Sequence, residues 1–346
     1  MPIRRRNLKR NPRKNTKGKR SRARAPRRIQ FRKNRLRRRS RIHQRAINQL
    51  IDYTTLQVTC KDKFAIFGCW GMDCKPGSAQ RFIAEDINKN PEIEFMVTAG
   101  DNFYSETTTD FEKNVTECYT KKMYASLGNH DIERYQEELN FRHPNWILPG
   151  RNYTIMINDD IRILMIDTNP YYAQDEYNNK GELEQAKFEV DNFLEIVPRK
   201  FDGLTFVVGH HPIIHNRHKL KKTRPMLNDF GARIIELADA YFCADEHNLQ
   251  HLRINKKMLN ELLKVVGEPN DENKIILEEF ILGGGGAKPD EQFIDDHFSS
   301  TPFKHPYHGY GVIDVQDKIL SVRCLKKESS SFELTTCYQF PLDRKK

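Results

Sequence analysis

Side chains that can bind a metal ion come directly after five of the six apolar runs that read as buried strands. They include carboxylates, imidazoles, a phenol, an amide and a thiol, and several of these are common ligands of transition metals. The residues are Cys69; Asp101 and Tyr104; Asn129 and His130; His210 and His211; and Asp245 and His247. The carboxyl ends of strands in a layered sheet meet at one crevice, so we expect these side chains to converge. The pattern predicts a metal-dependent site at that edge.

Short apolar runs that end in polar, glycine-rich turns would position these residues. The runs span 63–68, 94–100, 122–128, 161–167, 204–210 and 240–243. Residues 78–90, 131–142, 182–196 and 223–238 have the periodicity of helices. Strands that alternate with helices indicate an α/β or α+β layered domain with helices on the outer faces.

The pattern is less regular after residue 250. Residues 251–267 suggest a helix, 268–274 a polar loop, and 275–282 a strand that enters four glycines at 283–286. These glycines lack the Ser or Thr that follows a phosphate-binding loop, so we expect a turn or a close backbone approach there. YGVIDV, ILSVRCL and ELTTCYQF alternate like antiparallel strands.

Four short motifs, in this order along the chain, resemble those of calcineurin-like metallophosphoesterases. They are GDNFY at 100–104, GNHD at 128–131, GHHP at 209–212 and DEH at 245–247. The tyrosine of GDNFY, together with GCWG at 68–71, is similar to the purple acid phosphatase branch, especially its small tartrate-resistant form. The similarity extends from Lys63 to the end of the chain, and it implies the αββα sandwich of that superfamily.

The resemblance implies two metal ions, Fe, Zn or Mn, that share the carboxylate of Asp101. The first ion would be bound by Cys69, Asp101, Tyr104 and His247. The second would be bound by Asp101, Asn129, His210 and Asp245. Such a pair generates a hydroxide nucleophile and stabilises the phosphoryl oxygens during in-line attack.

The resemblance also implies roles beside the metals. His130 would be the acid that assists the leaving group, and Asp131 would orient His130. His211 would line the substrate pocket. The substrate would be a phosphorylated molecule.

Two positions depart from the family's pattern. Cys69 stands where the family has the Asp of its GDWG motif, and Asp245 stands where a Gly-His-Asp-His motif has its first histidine. Both residues can still bind a metal, but a thiolate favours softer ions such as zinc and an added carboxylate favours harder ones such as Mn²⁺ or Mg²⁺. We predict a divergent metal-dependent phosphoesterase whose activity is reduced or lost.

Two other functions stay open. One is a catalytically inactive phosphatase-fold protein that uses a basic arm to bind nucleic acid, for instance in a virion. The other is a metal-dependent nuclease, which would use both the arm and the site.

The positive charge of the chain is concentrated at its start. Residues 1–45 contain 22 Lys and Arg and no Asp or Glu, whereas the remainder has 36 basic and 47 acidic residues. We interpret 1–45 as an arm that is disordered without a polyanion, 46–62 as a linker and 63–346 as the phosphoesterase domain. Nucleic acid is the leading partner, since neutralised phosphates release counterions. We expect the nucleic acid to be contacted by the arginines at the densest basic runs, Arg4, Arg5, Arg6, Arg27, Arg28, Arg37, Arg38 and Arg39. A solubilising, nuclear-import or mitochondrial-targeting segment, or one that binds anionic membrane, is the alternative.

The seven cysteines are odd in number and show no obvious framework. This suits a reducing compartment, and Cys69 and Cys74 would be independent thiols. No secretory h-region and no apolar run long enough to span a membrane is found. We expect an intracellular, nuclear or virion-associated protein that is not secreted.

Overall fold

The computed structural model of the chain describes residues 53–72, 74–104, 108–214, 230–257, 260, 273–290, 300–328 and 331–344. The chain divides into the units Met1–Asp52 and Tyr53–Lys346, and all described residues belong to the second. The predicted arm and its arginines lie outside them.

Strands dominate the described residues. In chain order they are β1 Thr55–Val58, β2 Lys63–Phe67, β3 Ile93–Thr98, β4 Lys122–Ala125, β5 Trp146–Ile147, β6 Tyr153–Ile157, β7 Ile161–Met165, β8 Leu204–Val208, β9 Ala240–Cys243, β10 Leu249–Asn255, β11 Ile275–Leu282, β12 Ser300–His305, β13 Gly309–Asp314, β14 Ile319–Glu328 and β15 Ser331–Pro341. The helices are α1 Ala79–Lys89, α2 Thr108–Lys113, α3 Tyr135–Asn140, α4 Asn169–Tyr172, α5 Lys180–Ile196 and α6 Ala232–Leu237. Short 3₁₀ or π turns cover Asn114–Cys118, Asn129–Asp131 and Gln174–Glu176.

The strands form two mixed sheets. The first sheet has the order β1-β6-β7-β8-β9-β11-β10-β12, and the second has the order β15-β14-β13-β2-β3-β4-β5. Strands β7, β8, β9 and β11 run parallel in the first sheet, as do β2 to β5 in the second. The loops after β8 and β9 therefore leave one edge of the first sheet, and those after β2, β3 and β4 leave one edge of the second.

Both faces of the first sheet are buried, as expected for strands with near-continuous apolar runs. Phe206, Val208 and Phe242 belong to a large core shared with the second sheet. Val207 and Tyr241, whose side chains alternate with these, belong to a smaller core that includes residues of α5 and α6. The layered fold predicted from the sequence is confirmed.

Local sequence explains where the two longest helices begin. The side chain of Ser78 accepts a hydrogen bond from the Arg81 amide at the start of α1, and Asn179 accepts one from the Glu182 amide at the start of α5. Both are favourable N-cap residues, because each satisfies a backbone donor that the helix itself leaves unpaired. The predicted helices at 78–90 and 182–196 correspond to α1 and α5.

Several elements differ from the sequence-based expectation. Residues 251–255, predicted as the start of a helix, belong to strand β10, which pairs with both β11 and β12. The predicted helix at 131–142 is shortened to α3, and that at 223–238 is described only from 230 onward, where it contains α6. Strand β1 lies in the predicted linker and pairs with β6, so the folded part begins before Lys63.

The cysteine prediction is wrong for four residues. Disulfides join Cys74 to Cys118 and Cys324 to Cys337, while Cys60, Cys69 and Cys243 are free and buried. The first pair is separated by 44 residues in sequence, and the second links the neighbouring strands β14 and β15. Spacing alone could not show these pairs, because the partners meet only in the folded chain.

Among the described residues, no helix has the length and apolar character that crossing a bilayer requires.

The disulfides lead to a direct prediction. Thiol titration of the unfolded, non-reduced chain should give three reactive thiols, from Cys60, Cys69 and Cys243, and seven after reduction. Seven thiols before reduction would contradict both pairs. Five thiols before reduction would mean that only one of the two disulfides forms, and peptide mapping would identify which one.

Candidate metal centre

The carboxylate of Asp101, 2% exposed, lies at the centre of the site, where loops from both sheets meet. Its Oδ1 accepts a hydrogen bond from the His130 amide at 3.1 Å and lies 3.2 Å from His210 Nε2. Its Oδ2 accepts one from the Tyr104 hydroxyl at 2.6 Å. Burial acts to raise the pKa of Asp101, but His210, His130 and Tyr104 outweigh it, so the pKa is lowered. Asp101 is therefore a carboxylate held by several partners.

The first predicted ligand set is brought together around Oδ2 of Asp101. Cys69 Sγ lies 3.9 Å from this oxygen, and the Tyr104 hydroxyl, which bonds to it, lies 3.3 Å from His247 Nε2. The other ring nitrogen of His247, Nδ1, is 2.8 Å from the carbonyl of Lys288. Burial, with the charges of Asp101 and Asp245, raises the pKa of the Cys69 thiol, so in the bare protein this sulfur keeps its proton.

The second set is only partly assembled. His210 Nε2 lies 3.2 Å from Asp101 and 4.0 Å from Asp245 Oδ1. Burial acts to lower the pKa of His210, but these two carboxylates raise it to about 9. The imidazolium thus balances their charge, a role that a bound cation would take over. Asn129 begins the 3₁₀ turn beside Asp101, and no hydrogen bond of its side chain to the other predicted ligands is found in the described part of the chain.

The backbone is in the left-handed region at three of these positions. The φ angles are 55° at Cys69, 54° at Asp101 and 59° at Asp245. Residues other than glycine rarely adopt such angles, and each costs on the order of 1–3 kcal/mol. All three lie two or three residues beyond the ends of β2, β3 and β9, so the bends that turn these side chains inward carry the strain.

Glycines allow the surrounding loops to approach closely. A Cβ on Gly283 would lie 2.0 Å from the Glu246 carbonyl oxygen, and one on Gly285 would lie 2.4 Å from the Gly68 carbonyl oxygen. The loop formed by the four glycines also donates from Ala287 N to the Cys69 carbonyl at 3.0 Å. It packs onto the loops that carry Cys69 and Asp245, as the close-approach interpretation predicted.

Asp131 ties together the loops beneath the site. Its oxygens accept from the amides of Gly128, Asn102 and Phe103 at 2.7–3.0 Å, and from Asn102 Nδ2 at 3.1 Å. Burial and the charge of Asp101 raise the pKa of Asp131 to about 7. Within the described residues, none of these hydrogen bonds goes to the His130 ring, so Asp131 positions the loop that carries His130 and its role in orienting the imidazole stays a prediction.

The remaining predicted residues lie on different sides of the site. His130 is exposed, and its ring packs on Tyr104 with the ring centres 4.4 Å apart. His211 is fully buried, and its ring stacks on Tyr172 at 4.1 Å. An exposed imidazole can reach a substrate, whereas His211 faces the interior at the second half of the site.

Thr168 and Glu279 support the loop of the GHHP motif, and neither was singled out from the sequence. The Thr168 hydroxyl accepts from the amides of His210 and His211 at 3.3 and 3.1 Å. Glu279 accepts from the amides of Ile213 and Ile214. A threonine after one strand and a glutamate within another carry no local signal of these contacts.

The residues present fit a metal ion. Cys69, Asp101 and His210 offer ligand atoms within 4.8 Å of one another, and so do His210, His211 and Asp245. His210 Nε2 has only the contact of 3.2 Å to Asp101 Oδ1 described above, and Asp245 Oδ2 is buried and makes no hydrogen bond. Polar atoms buried in this way usually have a partner, and a cation between these groups would supply it.

Comparison with known families supports this interpretation. The model of a family described as calcineurin-like phosphoesterase matches residues 62–249, more than half of the chain. The matched span contains every residue of the two predicted ligand sets.

Individual relatives are distant. Purple acid phosphatase 7 of Arabidopsis thaliana is 23% identical over 257 residues, covering 65% of this chain and 70% of its own length. Tartrate-resistant acid phosphatase type 5 of Rattus norvegicus is 22% identical over 228 residues, covering 55% and 68%. A solved structure of GAP50, described as the anchor in the inner membrane complex of Plasmodium, superposes with a TM-score of 0.60 at 18% identity, covering 83% of this chain and 90% of that one.

The environment of Glu279 leads to a stability prediction. Burial, with the nearby Glu246, raises the pKa of Glu279 from 4.5 to about 8, against the two amides that act to lower it. The native state therefore binds this proton more tightly than the unfolded chain, and stability is lost as pH rises from about 4.5 to 8, by at most about 1.4 kcal/mol per pH unit. Glu279→Gln keeps an oxygen for both amides and cannot ionise.

Tm of the metal-free protein would be measured at about pH 5 and about pH 8.5, close to the two limits of that window. We expect Tm to fall less between these pH values in Glu279→Gln than in the wild type. Glu184→Gln, at an exposed position of α5, is the matched control and should follow the wild type. The same pH dependence in Glu279→Gln as in the wild type would contradict the assignment.

Proposed function

We propose a function for this chain from one premise, that it belongs to the calcineurin-like phosphoesterase family. The function is that of a divergent metal-dependent phosphoesterase that hydrolyses phosphate monoesters slowly. The observation that carries the proposal is the convergence of Cys69, Asp101 and His210 from three separate loops. Each of these residues offers a metal-binding atom at the same buried point.

The two ligand sets would bind two metal ions, with Asp101 shared between them. A bound pair supplies a hydroxide nucleophile and stabilises negative charge on the phosphoryl oxygens. Tyr104 and His247, 3.3 Å apart, orient each other on one side, and the carbonyls of Lys288 and Ala99 fix the rings of His247 and His210. Such fixed rings lose little freedom when they coordinate a cation.

His130 is the acid that we assign to the leaving group. Its backbone is fixed by the hydrogen bond to Asp101, and its ring lies exposed on Tyr104 at the rim of the site. From there its imidazole can donate a proton to a leaving oxygen, which contributes about 10²–10⁴-fold in comparable enzymes.

The residues at 69 and 245 are the reason for proposing slow turnover. A thiol replaces a carboxylate in the first set, and a carboxylate replaces an imidazole in the second. The thiol must lose its proton to coordinate, and burial opposes that loss. We propose zinc as the ion at the Cys69 side, because thiolates favour it.

A second candidate function is a catalytically inactive structural protein. It is favoured by the structural likeness to GAP50, which is described as an anchor. That likeness concerns the fold, and fold alone does not determine activity. The two altered ligand positions are consistent with this alternative.

The basic arm, 1–45, would bind nucleic acid in either case. Its 22 basic and no acidic residues favour a polyanion irrespective of sequence.

Disulfides are rare in the cytosol and nucleus and persist in virions. With two disulfides in the body, we propose the virion-associated location among those expected.

Turnover of p-nitrophenyl phosphate tests the phosphoesterase. We expect slow, metal-dependent hydrolysis that Asp101→Asn abolishes. The double variant Cys69→Asp with Asp245→His should raise kcat/KM at least tenfold (about 1.4 kcal/mol), because it restores the family's donors. Both new residues tolerate the left-handed backbone at these positions.

Thr301→Ala, on β12 and outside both ligand sets, is the control and should leave turnover unchanged. No turnover with Zn²⁺, Mn²⁺, Fe²⁺ or Mg²⁺ in either the wild type or the double variant would refute the enzyme. It would favour the structural candidate.

Removal of residues 1–45 tests the arm. We expect the full chain to bind single- or double-stranded oligonucleotides with an affinity that falls steeply with salt, and the shortened chain to lose that binding. Fluorescence anisotropy over a range of salt concentrations measures both. Unchanged affinity after the deletion would refute this role, and circular dichroism would verify that the body remains folded.

A further inference from the structure

We infer that His211 is a metal ligand of this site, where it takes the place of the histidine that Asp245 replaces. The second metal position would then be bound by two adjacent imidazoles, His210 and His211, and by the carboxylate of Asp245, together with the shared Asp101 and with Asn129. The inference rests on the metal-binding part of the proposed function and is independent of turnover.

The three side chains already form a compact group. His210, His211 and Asp245 offer ligand atoms within 4.8 Å of one another. The two rings are almost perpendicular, at 82°, with their centres 4.8 Å apart. Both histidines are fully buried, and Asp245 Oδ2 is buried without a hydrogen bond. A buried carboxylate oxygen of this kind calls for a positively charged or hydrogen-bonding partner.

The ring of His211 is held in a defined orientation. Its Nδ1 lies 2.8 Å from the Thr168 hydroxyl, and its face stacks on Tyr172. The ring of His210 is also fixed through Nδ1, which lies 2.7 Å from the Ala99 carbonyl; because a carbonyl only accepts, this nitrogen donates and leaves Nε2 of His210 for an ion. A metal-binding histidine commonly uses one ring nitrogen for such a contact and the other for the metal. We assign Nε2 of both rings to the ion, with Nδ1 of His211 carrying the proton and donating it to the Thr168 hydroxyl oxygen.

The same geometry explains how Asp245 and His211 together can supply what the replaced histidine would have supplied. Asp245 supplies an oxygen donor in place of an imidazole nitrogen, and His211 supplies the nitrogen from the neighbouring loop. The backbone beneath both histidines is fixed, because the Thr168 hydroxyl accepts from both of their amides and the Ala244 amide donates to the His210 carbonyl at 2.8 Å. Two imidazoles and one carboxylate form a donor set suited to Zn²⁺, Co²⁺ or Fe²⁺.

Metal affinity of the full chain tests the inference. Metal-free protein would be titrated with Co²⁺ by absorption spectroscopy and with Zn²⁺ by competition against a chromophoric chelator. We expect His211→Ala to weaken binding of one ion at least about tenfold. Adding Asp245→His to that variant should restore most of the loss, because it returns an imidazole to the same metal position.

Two further variants separate coordination from folding. His211→Gln keeps much of the side-chain volume and should show the same loss of affinity as His211→Ala. His251→Gln is the matched control: it changes another fully buried histidine, one that contacts Tyr338 and Glu278, and it should bind Co²⁺ as the wild type does.

The outcomes are distinct. Wild-type affinity in both His211 variants would overturn the inference. So would a loss that Asp245→His does not restore, since His211 would then act through the fold. If the variants do not fold, the Co²⁺-loaded wild type decides: a paramagnetically shifted, exchangeable N–H proton that NMR assigns to His211 supports the inference, and an unshifted one overturns it. Metal binding without turnover would refute the phosphoesterase and leave His211 as a ligand.

Discussion

The buried carboxylate of Asp101 is the constraint on which this structure depends. A charge removed from water is very unfavourable unless it is paired and hydrogen-bonded. Asp101 obtains one partner from its own loop, the Tyr104 hydroxyl, and two from distant parts of the chain, the His130 amide and the His210 imidazole. His210 follows a strand of the first sheet, whereas Asp101 and His130 follow strands of the second. Pairing this one charge therefore fixes the loops of the two sheets against each other.

Supporting contacts around Asp101 are as specific as the site itself. Asn102 accepts from Trp70 and Thr98, and it donates to the Ser126 carbonyl and to Asp131. Gly128 approaches so closely that a Cβ would lie 2.2 Å from Asp101 Oδ1. These contacts, with the packing of the four-glycine loop on the loops that carry Cys69 and Asp245, surround the three positions whose backbone is strained. The arrangement is therefore one that the fold maintains at a cost.

The family relationship and the altered positions bear on different questions. The match to calcineurin-like phosphoesterases and the two-sheet architecture establish the ancestry of the site. Its chemistry is a matter of the donors, because one fold supports many activities. Cys69 and Asp245 both carry atoms that can bind a metal, so the site that we propose would differ from the family's in its ligand types and still offer donors to a cation.

The sequence by itself determined the strand pattern from Lys63 to Thr98, the layered class and the order of the ligand motifs. These are local properties, because apolar runs, glycine-rich turns and short spacings between motif residues can be recognised in the sequence itself. Tertiary structure decided the rest. Residues 251–255 form a strand because β11 and β12 flank them, and Cys74 pairs with Cys118 across 44 residues. Thr168, after β7, and Glu279, in β11, reach the GHHP loop from remote parts of the sequence, and His211 meets Asp245 only because β8 and β9 are neighbours. Such contacts depend on which strands become adjacent, which no local pattern encodes.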